Sequence, residues 1–332
     1  MQLSRRQFLP LAAGAAILAG VSNLLLSLTS HGAWSQTTRT IKLVVPLPPG
    51  SAFDIMSRLL AEQISRTQGA TMEIENRPGA ATAVGTEAAS RAAPDGNTLL
   101  VNGNPFLINP LLQKLSYDPL TSFQPICNLY RSPSVIVVNN ASPYRTLADL
   151  LDAARAEPGG LTLASIGPGS ATQIAFEMLR RQANVEMTFV PFPGIPPAVN
   201  ALLGGHVTSV FGVYGGVVDE QVQAGKLRAL AVASGTRITA LPDTPTVAES
   251  GYKDYEVDIW QGLFAPAKTP NDILSRLAGW FTAALQVPEL NAKLEVQGLY
   301  PGRMCGTDFA SFLRKQFDDY RHAIREAKIK AE

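Results

Sequence analysis

The chain is poor in the residues that build metal centres, and it is also poor in charge. Its 332 residues include only two cysteines and three histidines, and only 17% are Asp, Glu, Lys or Arg. A metal site of the usual kind would need ligands that this chain barely has. The formal net charge of +1 provides no field that would attract nucleic acid or an anionic membrane. We therefore expect no metal, no other cofactor and no nucleic-acid partner.

The two cysteines, Cys127 and Cys305, lie far apart in the sequence. An exported protein can join such a pair in a disulfide, which would then close a long loop. Two buried free thiols are the alternative, because free cysteine is among the residue types most often buried. Spacing alone does not show whether the two sulfur atoms meet, and of the two outcomes we expect the free thiols.

Several catalytic signatures are missing as well. The chain contains no Gly-x-x-x-x-Gly-Lys-Ser/Thr loop for nucleotide phosphates and no Gly-x-Ser-x-Gly nucleophile elbow. Gly167-Pro168-Gly169, followed by Thr172, resembles a dinucleotide fingerprint that has lost its last glycine. His206 and His322 lie beside no nucleophile signature. An exported α/β enzyme stays an alternative, but the sequence favours a protein that is not an enzyme.

The first 35 residues have the features of an export signal. Ser4-Arg5-Arg6-Gln7-Phe8-Leu9 resembles the twin-arginine motif, and an apolar run follows from Leu11 to Leu28. Ala33-Trp34-Ser35 offers small residues at a spacing that suits cleavage. We expect a cleavable signal peptide over residues 1–35 and a mature protein in the periplasm. An uncleaved membrane anchor is the alternative, because the run is long enough to span a bilayer.

The stretch from Ile41 to Ile64 predicts a strand, a tight loop and a helix. Three prolines and Gly50 form the loop. Apolar residues recur with helical spacing after Asp54, and Ser51 with Asp54 resembles a capping box. A loop that opens a helix presents free backbone N–H groups and a partial positive charge, which suit a carboxylate or a phosphate.

The same design recurs later in the chain. Leu161–Ser165 predicts a strand, Gly167–Gly169 a loop, and Ser170–Gln173 a capping box that opens the next helix. Two such helix N-termini, far apart in the sequence, predict two halves of the protein that close on one anion.

Strand and helix patterns alternate in two series, and helices occupy the end of the chain. The first series, from Ile41 to about Leu129, has a βαβαβ order, which implies a parallel sheet with helices on both faces. Prolines between residues 105 and 125 then predict an irregular connection, and a second series begins at Ser134–Val138. We expect residues 36–130 and 256–332 to form lobe 1, residues 131–255 to form lobe 2, and the chain to cross near Leu129–Pro133 and Lys253–Trp260.

A series of short motifs follows one another along nearly the whole mature chain. They are Pro46, Pro49, Gly50 and Asp54; Glu75–Ala80; Ala93–Gly96; Tyr117–Pro119; Leu202–Gly205; Gly225–Leu230; Leu241–Asp243 with Pro245–Glu249; and Trp260, Gly262, Leu263, Ala265 and Pro266. In this order they resemble the extracytoplasmic solute receptors of tripartite tricarboxylate transporters, the Bug family.

The resemblance implies a type II periplasmic binding protein, an α/β fold of two lobes with the ligand in the cleft between them. It implies that the protein captures a small carboxylate through backbone amides of both lobes. It also implies that the protein, as a monomer, delivers this ligand to the membrane permease subunits of a tripartite tricarboxylate transporter. A periplasmic sensor that serves a signalling partner is the alternative function.

The helix-opening loops and the resemblance place the ligand in the same region. The residues expected to line it are Gly50, Ser51, Ala52, Phe53, Asp54 and Asn104 in lobe 1, and Gly167, Gly169, Ser170, Ala171, Thr172, Gln173, Phe192, Gly212 and Val213 in lobe 2. Asp54 has an alternative role as a cap of its own helix. Phe106 and Tyr214 either line the cleft or belong to the core.

The sequence departs from the family pattern inside this region. Gln173 stands where a histidine is frequent, and Gly212-Val213-Tyr214 replaces an acidic or amide pair. Phe192 and Pro193 stand where a tyrosine and a lysine are common. Lobe 2 is therefore less polar than usual. This favours an apolar or aromatic carboxylate over an amino acid, whose ammonium group needs a carboxylate partner.

Overall fold

A computed structural model describes residues 40–167, 169–296, 298–302 and 304–330. The predicted signal peptide and its cleavage site lie outside the described residues. Within those ranges, no helix combines the length and the apolar character that a bilayer crossing requires.

The strands form one sheet with two parallel parts. They are β1 (Thr40–Val45), β2 (Thr71–Asn76), β3 (Thr98–Gly103), β4 (Phe123–Asn139), β5 (Thr162–Ile166), β6 (Thr188–Phe192), β7 (Ser209–Val213), β8 (Leu227–Val232), β9 (Asp258–Pro266) and β10 (Tyr300–Pro301). Their order is β2-β1-β3-β9-β4-β7-β5-β6, and β8 and β10 both pair with β4. β2, β1 and β3 are parallel neighbours, and so are β6, β5 and β7.

The helices connect these strands and close the chain. They are α1 (Ala52–Gln68), α2 (Ala83–Ser90), α3 (Asn104–Leu112), α4 (Leu147–Ala156), α5 (Ala171–Gln182), α6 (Ile195–Leu203), α7 (Val217–Gln223), α8 (Asn271–Leu285), α9 (Pro288–Glu295) and α10 (Gly306–Ala327). A short 3₁₀ turn, Ala80–Thr82, precedes α2. The order of elements follows the sequence prediction, except that α3, α7 and β10 were not predicted.

Two predictions about local structure hold only in part. The passage after β3 is irregular over residues 113–122, but it also contains α3 and the first part of β4. Pro105 lies in the first turn of α3, where its missing N–H costs no helical hydrogen bond. The sequence also predicts a strand over Tyr255–Trp260, and in the structure this strand begins later, at Asp258, and continues to Pro266.

Strand β4 is 17 residues long and takes part in both halves of the sheet. Its residues from Phe123 to Pro133 pair with β9, and those from Ser134 to Val138 pair with β7. The predicted lobe limits stay a proposal. The change of partner within β4 is the observation that supports a crossing close to Pro133.

Apolar residues cover both faces of each half, as the alternation of side chains along a strand requires. In β1, Leu43 packs in one cluster with α1 and α8, while Val44 packs in another with α3 and α10. In β4, Ile136 and Val137 are divided in the same way between two further clusters. The helices on both faces thus bury the inner parallel strands, whereas the outer strands β2 and β6 keep exposed residues.

The two cysteines form a disulfide, so the expectation of two free thiols is wrong. Cys127 lies in β4, and Cys305 is the residue before α10. Their segments run side by side, because the N–H of Asn128 donates to the carbonyl of Met304 at 2.8 Å. The bond therefore ties the start of the last helix to the longest strand.

Two aromatic residues with undecided roles belong to the core. Phe106 is fully buried and stacks on Phe264, with ring centres 4.3 Å apart. Tyr214 is buried as well, and its hydroxyl donates to Asp219. Of the two roles considered for Phe106 and Tyr214, the structure favours the core.

Candidate functional site

The predicted ligand residues lie at the C-terminal ends of two groups of parallel strands. We call the end of β1, β2 and β3 the first edge, and the end of β5, β6 and β7 the second edge. Loops that follow parallel neighbours adjoin, and this carboxyl edge is where open α/β sheets bind ligands. The edge of β1, β2 and β3 carries Gly50, Ser51, Ala52, Phe53, Asp54 and Asn104. The edge of β5, β6 and β7 carries Gly167, Gly169, Ser170, Ala171, Thr172, Gln173, Phe192, Gly212 and Val213.

The first loop, residues 46–51 between β1 and α1, is held in shape by hydrogen bonds to the side chains of Ser51 and Asp54. Ser51 caps α1, because its hydroxyl oxygen accepts the N–H of Asp54 at 3.3 Å. The Asp54 carboxylate reaches back and accepts the N–H of Gly50 at 2.9 Å. Gly50 has a φ of +82°, which glycine adopts without strain. The predicted cap at Ser51 is confirmed, but the reciprocal bond of a capping box is not, because Asp54 binds the N–H of Gly50 and not that of Ser51.

The Asp54 carboxylate is engaged in hydrogen bonds with other residues of the chain. Its buried carboxylate accepts hydrogen bonds from Arg58 Nε and Asn76 Nδ2, both at 2.9 Å. The hydrogen bond from Arg58, aided by those from Gly50 and Asn76 and opposed by burial, lowers the pKa of Asp54 to about 2. This bonding supports the role of a cap, while contact between Asp54 and a ligand stays a prediction.

The second loop, between β5 and α5, has the same arrangement, with the Gln173 amide in place of the Asp54 carboxylate. Ser170 caps α5 by accepting the N–H of Gln173 at 3.2 Å. The Gln173 side chain reaches back to accept the N–H of Gly169 at 2.8 Å. Gly169 has a φ of +72°, close to that of Gly50. In both loops, therefore, the third helical residue binds the N–H of the residue before the cap.

The hydroxyl groups of the second loop already have acceptors for their protons. Ser170 donates to the carbonyl of Ile166 at 3.0 Å. The Thr172 hydroxyl lies 3.1 Å from Ser170 Oγ and acts as the donor of that pair, because Ser170 has only one proton to give. The donors left for an anion at this loop are therefore backbone N–H groups.

The first two N–H groups of each helix have no partner within the helix. They belong to Ala52 and Phe53 in α1 and to Ala171 and Thr172 in α5. The N–H of Ser51, in contrast, donates to the carbonyl of Pro48 at 3.2 Å. The positive end of each helix dipole adds to these donors, so both loops suit an anionic group.

The two helix starts differ in exposure. Ala52 is exposed, whereas the side chains of Ala171 and Thr172 are buried. The second loop lies against α3, because a Cβ added at Gly169 would be 3.3 Å from Leu112 Cδ1. A substitution at Ala52 therefore disturbs less packing than one at Ala171.

Asn104 is buried and bonded on both sides of its amide. Its Nδ2 donates to the Tyr320 hydroxyl at 2.8 Å and to the carbonyl of Asp258 at 3.1 Å. Its Oδ1 accepts the N–H of Trp260 at 3.1 Å. The side chain joins α3 to β9 and α10, and its contact with a ligand stays a prediction.

The remaining predicted residues form a mostly apolar wall at the second edge. Phe192 is half-buried and pairs in register with Ile166. Gly212 leaves room for Ile195, whose Cδ1 would be 2.9 Å from a Cβ at Gly212. Val213 is half-buried at the end of β7. Their contact with a ligand also stays a prediction.

The first edge also contains a left-handed turn that was not predicted from the sequence. Residues 80–82, two alanines and a threonine, all have positive φ, which is uncommon for any residue but glycine. Asn109 holds the turn by donating to the carbonyl of Ala81, and Asn102 donates to Thr86 Oγ1 at 2.8 Å. Pro78-Gly79 marked a turn, but no residue type marked its handedness.

A cavity of about 620 Å³ lies away from both edges, between α8, α10 and the start of β4. Leu274, Leu313 and Arg314 line it, and none of the predicted ligand residues does. The helix starts, rather than this cavity, therefore define the candidate site. In the described ranges, no group of three or more His, Cys, Asp or Glu side chains is placed to hold a metal ion.

Comparison with known proteins points to a receptor family. The family model described as tripartite tricarboxylate transporter family receptor matches residues 56–329. The chain is 31% identical over 324 residues to the UPF0065 protein in the tcbD-tcbE intergenic region of Pseudomonas sp. (strain P51), with 95% of each chain covered. It is 30% identical over 297 residues to protein BugT of Bordetella pertussis, with 88% of this chain and 91% of BugT covered.

Solved structures agree with the family match. A TctC solute binding protein from Polaromonas superposes with a TM-score of 0.80 at 26% identity, covering 88% of this chain and 100% of its own. MatC from Rhodopseudomonas palustris with bound malate has a TM-score of 0.65 at 28% identity, covering 87% and 99%. A second R. palustris protein, with adipate, has a TM-score of 0.70 at 28% identity, covering 89% and 99%. These neighbours confirm the predicted two-lobed α/β binding-protein fold.

Proposed function

Because the chain belongs to the tripartite tricarboxylate transporter receptor family, known as the Bug family, we propose that it captures a small carboxylate between its two lobes and delivers it to the permease of such a transporter. The observation that carries the proposal is the pair of serine-capped helix starts, one in each half of the sheet. The malate and adipate bound to two R. palustris neighbours support the same class of ligand.

The loops themselves supply no cation to pair with the carboxylate. Arg58, one turn after Asp54 in α1, forms an ion pair with Asp54. Helix ends and hydrogen bonds must therefore hold the negative charge. Each helix end contributes about 0.3–2 kcal/mol, and each hydrogen bond to a charged group contributes about 1.5–3 kcal/mol. After the cost of association, these contributions allow a dissociation constant of roughly micromolar size.

The proposal includes a location and a role. The mature protein acts in the periplasm as a monomer, after export by the signal over residues 1–35. Periplasmic solute receptors among its relatives support this location and support binding rather than catalysis. A sensor would use the same ligand site. Co-purification of the liganded protein with permease subunits, rather than with a signalling partner, distinguishes transport from sensing.

A thermal-shift screen of the purified mature protein tests the proposed ligand class. Carboxylates, amino acids and sugars are compared at equal concentration. We expect a small mono- or dicarboxylate to raise the melting temperature, because a ligand present at 100 times its Kd stabilises the folded state by about 2.7 kcal/mol. If only a sugar or an amino acid raises the melting temperature, the proposed ligand class is wrong.

Replacement of Ala52 by proline tests the first helix start. Proline is tolerated early in a helix, and Ser51 already has the extended backbone, φ −67° and ψ 159°, that a following proline requires. The change removes one unpaired N–H, so we expect carboxylate affinity to fall about tenfold or more. The melting temperature of the free protein should stay nearly unchanged.

The matched control for this variant is Ala52→Ser, which alters the side chain but keeps the N–H. Calorimetric titration should give the serine variant the affinity of the wild type. Equal affinities for the proline and serine variants would show that the N–H of Ala52 does not contact the ligand.

A further inference from the structure

Within the described ranges, the exposed large apolar residues are Val84, Ile166 and Val296, with exposed fractions of 49%, 37% and 81%. Single apolar residues on a surface are ordinary. Here they are so few that their positions carry information. Two of the three lie beside the loops that form the candidate site.

Val84 lies in the first turn of α2, next to the first loop. Its Cγ2 would be 2.9 Å from a Cβ at Gly79, so the side chain packs over the glycine that precedes the left-handed turn. A Cβ at the neighbouring Gly85 would be 2.8 Å from Pro46 Cβ, where the first loop begins. Val84 is therefore fixed beside that loop while its side chain stays accessible.

Ile166 holds the corresponding position in the other half of the sheet. It is the last residue of β5, and its carbonyl accepts the hydroxyl of Ser170, the cap of α5. It also pairs in register with Phe192, at the apolar wall of the second edge. Val296, in contrast, directly follows α9 and belongs to neither loop. Each helix start thus has one exposed, branched aliphatic side chain beside it.

We propose that Val84 and Ile166 select the body of the ligand by contacting its hydrocarbon part from the two lobes. The inference rests on the proposed function. Covering two exposed aliphatic side chains releases the water around them, which favours a ligand with several methylene groups or an aromatic ring. A short hydroxylated acid gains less, because its hydroxyl would lose hydrogen bonds to water against an apolar surface.

The test compares adipate and malate as probes, by calorimetric titration of the wild type and three variants. Val84→Thr and Ile166→Thr keep the branching at Cβ and make each contact more polar. Val296→Thr makes the same change at the exposed position outside both loops. We expect Val84→Thr and Ile166→Thr each to weaken adipate binding about fourfold, the value of roughly one methylene group. Malate affinity should change less than about twofold, and Val296→Thr should change neither affinity.

The outcomes separate this inference from the proposed function. Wild-type protein that binds adipate, with unchanged adipate affinity in both loop variants, would overturn the selection by Val84 and Ile166 and leave the carboxylate receptor standing. Equal losses of adipate and malate affinity in these variants would also overturn the selection and leave the proposed carboxylate receptor unaffected. Wild-type protein that binds neither acid would overturn the inference, and the proposed function would fail with it only if no carboxylate raised the melting temperature in the thermal-shift screen.

Discussion

Loss of the disulfide between Cys127 and Cys305 is expected to lower the free energy of unfolding by roughly 5 kcal/mol. The bond joins residues that are 178 positions apart, and the chain-entropy model gives this value for a loop of that length. The hydrogen bond between Asn128 and Met304 would still hold the two segments together in the folded protein. The effect therefore falls mainly on the unfolded chain, which gains freedom when the bond is absent.

Denaturant unfolding of the oxidised protein, the reduced protein and the Cys127→Ala, Cys305→Ala double variant measures this contribution. The reduced protein and the double variant should unfold at similar, lower denaturant concentrations. Adding reductant to the double variant is the control and should have no effect. The same midpoint for oxidised and reduced protein would contradict the prediction.

Replacement of Asp258 by asparagine is expected to raise the free energy of unfolding at neutral pH by about 1–3 kcal/mol. Asp258 begins β9 and is only 6% exposed. Its Oδ2 lies 3.4 Å from Arg131 Nη1, and its buried Oδ1 has no hydrogen-bond partner in the described structure. Burial raises the pKa of Asp258 from 3.8 to about 6, partly offset by Arg131 and increased by the charge of Glu256. The lower end of the expected range allows for the ion pair with Arg131, which the variant loses.

The pH dependence follows from the direction of this shift. The folded protein binds the proton of Asp258 more tightly than the unfolded chain does, so acidification from about pH 6 to about pH 4 favours the folded state at this residue. The ionised carboxylate is unfavourable above that range. Asp258→Asn should remove this contribution from the stability profile. Identical slopes for wild type and variant across the range would contradict the prediction.

Replacement of Asp54 is a control that should change the free energy of unfolding in the opposite direction. Its pKa is lowered to about 2, so its ionised form stabilises the folded protein, and this contribution is lost only as the pH falls from about 4 through about 2. Asp54→Asn should therefore destabilise the protein at neutral pH, whereas Asp258→Asn should stabilise it. The comparison separates the removal of a favourable carboxylate from the removal of an unfavourable one.

Features that depend on neighbouring residues could be predicted from the amino-acid sequence alone. Most of the order of strands and helices follows from the spacing of apolar residues along the chain, although α3, α7 and β10 were not predicted from it. The starts of α1 and α5 follow from Ser51 and Ser170, because a cap binds an N–H only three residues away. The two helix starts of the candidate site could therefore be found without coordinates.

Features that depend on contacts between distant residues could be seen only in the folded chain. Cys127 and Cys305 meet because the segment before α10 runs along β4. The amide of Asn104 is bonded by Tyr320, which is 216 positions away. The turn at residues 80–82 adopts a locally unfavourable conformation, which Asn109 stabilises from 28 positions away. A local pattern carries no signal for such contacts, because their energy comes from groups that only the folded chain brings together.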